Sequence, residues 1–91
     1  MTTYNYSDIV SQANSVCRQL EQALGMDTLI SQYQRGNRTY NYRHKVVFLN
    51  TIAPNNIQPV FTIMARTPTE LMAKMYTAHD SFSLIAELRS K

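Results

Sequence analysis

The apolar residues of this chain change their period part-way along, and that switch constrains the fold more than any motif does. Ile9, Ala13, Val16, Cys17, Leu20 and Leu24 recur at helical spacing and form one stripe. From Thr39 the period is two. Tyr40, Tyr42, His44, Val46 and Phe48 then point one way, and Asn41, Arg43, Lys45, Val47 and Leu49 the other. A one-sided helix followed by strands must bury both apolar surfaces against each other, which predicts an α+β domain.

Local signals divide the chain further. Ser7 followed by Asp8 predicts a helix start, with a capping hydroxyl and an acid at the positive end of the dipole. Gly25 stands where a left-handed helix end belongs. Asp27 predicts the cap of a second, short helix carrying Leu29, Ile30 and Tyr33 and stopped by Gly36. Pro54-Asn55-Asn56 marks a turn, and Val60 to Ala65 reads as a second strand with Pro59 at its entrance. The two strands are expected to pair as an antiparallel hairpin.

Thr67-Pro68-Thr69-Glu70 is a T-x-x-E capping box with proline at the first helical position. The helix it opens carries Leu71, Met72, Met75, Tyr76 and His79. Beyond Asp80 and Ser81, the alternation of Phe82, Leu84, Ala86 and Leu88 predicts a third strand, with a continued helix to Leu88 as the alternative. The expected architecture is therefore a single domain over residues 1–91 in the order ααββαβ. Its helices would pack on one face of a three-stranded sheet, the last strand parallel to the second through a right-handed crossover. Exposed sheet edges and a small core also predict a homodimer.

Composition excludes much chemistry. The two glycines, Gly25 and Gly36, are too far apart for a phosphate-cradling loop or a nucleophile elbow. One cysteine and two histidines supply neither a cysteine-based zinc site nor a disulfide. His79-Asp80-Ser81 has the residue types of a catalytic triad, but adjacent residues point in different directions, and a helix-ending histidine is the simpler reading. Cys17 lies on the apolar stripe and is expected in the core. Met64, Met72 and Met75 are expected to fill gaps between helix and sheet, the other reading being a soft interaction surface. No catalytic residue, metal or cofactor is predicted.

Charge is unevenly placed. Charged residues are 16% of the chain, below the roughly 25% of an average domain. Residues 28–69 contain no acid, whereas Arg35, Arg38, Arg43, Lys45 and Arg66 all fall there. Four of those bases and two tyrosines lie between Arg35 and Lys45, so this segment is the candidate partner-binding site: Arg35, Arg38, Tyr40, Tyr42, Arg43, His44 and Lys45. A field of one sign steers anionic partners. Tyrosines beside it serve as interface anchors or as stacking faces for bases. A merely solvated strand is the plainest reading of the same residues.

The N-terminus has no basic stretch followed by an apolar one, and the longest strongly apolar run is Val46 to Leu49. The expected compartment is the cytoplasm, of a host cell if the gene is viral. KH domains need a G-x-x-G loop and RRM domains a glycine-bearing fingerprint, and the chain has neither. In size, low charge content and lack of a catalytic motif it is similar in type to small virus-encoded inhibitors, anti-CRISPR proteins among them. These readings together predict a non-enzymatic inhibitor or adaptor that occupies an acidic protein surface or a host protein complex. The alternative is a nucleic-acid or nucleotide binder using the same residues.

Overall fold

The computed structural model describes residues 4–36, 43–51 and 59–90. Its elements in chain order are α1 (Tyr6–Leu24), β1 (Leu29–Arg35), β2 (His44–Asn50), β3 (Pro59–Ala65) and α2 (Pro68–Arg89). The α+β class and the three-stranded sheet are as the sequence predicts, while two elements differ in kind. The sheet is fully antiparallel in the order β1-β2-β3, so β2 is central and, among the described residues, both neighbours are edges.

The segment expected to be a short helix is the strand β1. Fewer than two helical turns are marginal alone, whereas β2 offers this segment a full antiparallel register from Leu29↔Asn50 to Arg35↔His44. The segment expected to be a third strand is the second half of α2. Apolar residues at 82, 84, 85, 86 and 88 satisfy either period, and among the described residues the three-stranded sheet has no parallel crossover strand. Phe82, Ser83 and Ala86 are instead half-buried along the helix.

The caps follow the expected chemistry, with one shift. Asn5, not Ser7, caps α1: its Oδ1 accepts from the Asp8 amide at 2.8 Å, and the Asp8 carboxylate accepts from the Asn5 amide at 3.1 Å. The amide side chain of asparagine accepts as well as a serine hydroxyl, and Asp8 at the third helical position makes the pair reciprocal. Gly25 ends α1 in the left-handed region at φ 69°, where a side chain would be strained. The Arg89 guanidinium also lies against it, so an added Cβ would meet Nη2 at 2.5 Å. Thr67 caps α2 by accepting from the Glu70 amide at 3.1 Å, with Pro68 in the first turn.

Both helices cover one face of the sheet. Ile9, Val16, Cys17 and Leu20 of α1, with Leu71, Met72 and Met75 of α2, pack on Leu29, Val46, Phe48 and Ile63. Cys17 is fully buried, and Met72 and Met75 fill the helix–sheet space, whereas Met64 is exposed. His79 lies mid-way along α2 rather than at its end, because the helix runs on to Arg89. Its Nδ1 is 3.6 Å from the Asp80 carboxylate. Among the described residues no helix is long and apolar enough to cross a membrane.

Candidate partner-binding cleft

The hairpin of β1 and β2 closes where the Gly36 amide donates to the Arg43 carbonyl at 2.9 Å. Directly inside that closure Arg35 stands opposite His44 in the register. Cross-strand partners share a face, so both lie on the side that carries the helices. Tyr33, two residues before Arg35, shares this face, and its hydroxyl is 2.5 Å from His44 Nδ1. The Tyr6 ring meets Tyr33 edge-on with centroids 5.6 Å apart. Tyr4, Tyr6, Tyr33, Arg35, His44 and Pro68 line a cleft of about 550 Å³ at this end of the domain.

Its electrostatics follow from placement. Burial, and then the positive charges of Arg35 and Arg43, hold the His44 imidazole below its ordinary pKa. The lowered pKa favours the neutral ring at pH 7, and its Nδ1 shares one hydrogen bond with the Tyr33 hydroxyl, the imidazole tautomer setting which of the two donates. Permanent cationic charge is left to the exposed arginines Arg35 and Arg43. The cleft thus combines aromatic walls, a neutral imidazole and guanidinium groups at its rim. Guanidinium is the group best matched to a carboxylate or phosphate.

The structure divides the predicted site. Arg35 and His44 meet in the cleft, and Arg43 lies at the hairpin closure. Lys45 is on the opposite face of the sheet, paired across to Gln34 and Met64. Arg38, Tyr40 and Tyr42 lie outside the described residues. The aromatic walls come instead from Tyr4, Tyr6 and Tyr33, which sequence reasoning had not assigned to the site. The usable signal was the alternation Leu29, Ser31, Tyr33, Arg35, a strand pattern that shares its apolar residues with a helical one. Among the described residues no group of three or more histidine, cysteine or acidic side chains could hold a metal ion.

The chain matches no family model, no curated protein and no solved structure.

Proposed function

We propose that this is a non-enzymatic binding protein of the cytoplasm, an inhibitor or adaptor that occupies an acidic site on a protein partner through the end of the β1–β2 hairpin. If the gene is viral, that cytoplasm is the host's. The observation that carries the reading is the cleft where Arg35 faces His44 beside Tyr33 and Tyr6. A carboxylate-bearing side chain entering it meets a guanidinium at the rim and aromatic surface within. Tyr and Arg are the residues that most often carry interface energy.

The same geometry favours protein over nucleic acid. Tyr33 is engaged by Tyr6 on one side and His44 on another, so its ring is not a free platform for a base. Lys45 lies on the other face from Arg35, so these cations do not follow one strand of phosphates.

Fluorescence anisotropy with a labelled oligoglutamate peptide and a labelled oligothymidylate tests this directly. At physiological salt the acidic peptide is expected to bind more tightly, and Arg35→Ala should weaken it roughly tenfold or more, the usual scale for losing a charged hydrogen bond. Tight oligonucleotide binding would overturn the reading if it fell with salt at a log–log slope near −3 to −4, as about four phosphate contacts require, and vanished in the Arg35/Arg38/Arg43/Lys45 quadruple alanine variant.

A further inference from the structure

The flank of the molecule formed by β3 and the outer side of α2 is built differently from the hairpin end. The amide of Gly36 bonds to Arg43 and that of Thr51 to Thr28, so odd-numbered residues of β2 turn their backbone groups toward β1. Even-numbered ones turn toward β3, where they meet Phe61, Ile63 and Ala65. The backbone groups of Thr62 and Met64 consequently face away from the sheet, and no described strand pairs with that side. Lys74 Nζ donates to the outward Met64 carbonyl at 2.7 Å, which occupies one acceptor of the edge.

Natural edges are blunted by charge, proline or bulges. β3 has Pro59 at its first position and a register shift opposite Leu49, yet Val60 to Met64 contains no charge and no proline. Beside the edge, a groove of about 480 Å³ runs between β3 and the Lys74–Phe82 stretch of α2. Helical spacing carries the groove side of α2 from Lys74, Thr77 and Ser81 on to Ile85 and Leu88, with Leu84 adjacent. Of the ten exposed large hydrophobic residues among those described, six belong to this one flank: Val60, Phe61, Met64, Leu84, Ile85 and Leu88, each 36–61% exposed.

We infer that a second copy of this chain covers the flank, its β3 pairing antiparallel with this β3 to make a six-stranded sheet. Pairing about a two-fold axis near Thr62 brings the Val60 end of one strand level with Met64 of the second copy, apolar residue to apolar residue. Both α2 helices then lie on the same face, and their exposed apolar stripes turn toward the joint. Charge permits self-pairing: β3 has no ionised side chain, and Lys74 is neutralised by Glu70 at 3.1 Å. A two-fold axis through the hairpin end would instead oppose arginine to arginine. A standard interface buries about 800 Å² per partner, roughly an eighth of the 6227 Å² this chain exposes.

Sedimentation equilibrium of the full chain reads the outcome. The wild type is expected to be a dimer at micromolar concentration. Thr62→Pro removes an outward N–H without touching the ladder to β2, and Ile85→Lys places a charge on an exposed helix position. Each is expected to weaken self-association by roughly thirtyfold or more, as truncating a central anchor does, with an unchanged circular dichroism spectrum. Should Thr62→Pro fail to fold, Ile85→Lys decides. The Arg35→Ala/Arg43→Ala double variant is expected to stay dimeric, which separates this inference from the partner-binding reading. A wild type that remains monomeric into the millimolar range overturns the inference, including one that takes up a foreign β-strand peptide at this edge. So does a dimer whose affinity is unchanged in Ile85→Lys.

Discussion

β1 and β3 are both edge strands hydrogen-bonded to β2, but they are finished in opposite ways. β1 is polar along its length, with Ser31, Gln32, Gln34 and Arg35, and its first residue is clamped to α1 by charge. Glu21, nearly buried, accepts from the Leu29 amide at 3.2 Å and pairs with Arg18 at 3.0 Å. Arg18 in turn donates to the Leu29 carbonyl at 3.1 Å, so both backbone groups of that residue are satisfied by one ion pair. β3 has no such clamp. Its polar tie to α2 is the exposed Lys74, and apart from Thr62 its side chains outside the core are apolar. An arginine-bearing edge, anchored at Leu29 beside the cleft, suits an anionic visitor, and an uncharged edge suits a copy of itself. One small sheet can therefore carry two interaction surfaces without their competing.

The largest expected effect comes from the strand both edges share. Phe48 is completely buried at the centre of the sheet, stacked 6.0 Å from Phe61. Phe48→Ala should lower unfolding free energy by about 3–5 kcal/mol, as deleting a core aromatic does. Chemical denaturation measures it, and a loss well below that range would mean that the two edges are held independently of β2.

A smaller effect should separate the edges. Glu21→Ala strands the buried Leu29 amide and should cost about 1–3 kcal/mol. Lys74→Ala removes only a solvent-exposed contact and should leave the denaturation midpoint almost where it was. Equal losses in the two variants would erase the distinction between a clamped and an open edge.

The smallest effect is a pH dependence confined to the β1 side. His44 has its pKa lowered by folding, so the unfolded chain binds the extra proton more readily. Its stabilising contribution is complete above the ordinary histidine range and is lost as pH falls through that range toward the lowered folded value. Thermal melts of wild type and His44→Gln across this window should converge at the acid end. Parallel curves would show that the cleft does not keep the imidazole neutral. Glu70, on the α2 side, is lowered by its hydrogen bond to Lys74 and the Arg66 amide, and its contribution disappears only at more acidic pH.

Much of this molecule was legible because its signals are local. The Thr67 cap with Pro68, the glycine at the end of α1, the stripe from Ile9 to Leu24 and the central strand through Val46 and Phe48 each depend on residues within a turn or two of one another. The acid-free span of 28–69 was equally plain, and Arg35, Arg43 and His44 come together at the end of the hairpin within it. Two segments were decided elsewhere. Residues 29–35 and 82–89 carry apolar patterns compatible with either period, so intrinsic preference leaves them undetermined. The free edge of β2 made the first a strand. With that place in the sheet filled, the second continued as helix and set Phe82, half-buried, against Phe61. The cleft depended on the same decision: as a strand residue Tyr33 meets His44 across the sheet, and the packing of α1 brings Tyr6 to its edge. Sequence by itself determined the Thr67 cap, the glycine stop of α1, the periods of α1 and β2 and the sign of the charge, since those act over a few residues. Which backbone would pair with β2, and which tyrosines would wall the cleft, were set only by contacts between parts of the chain far apart in sequence.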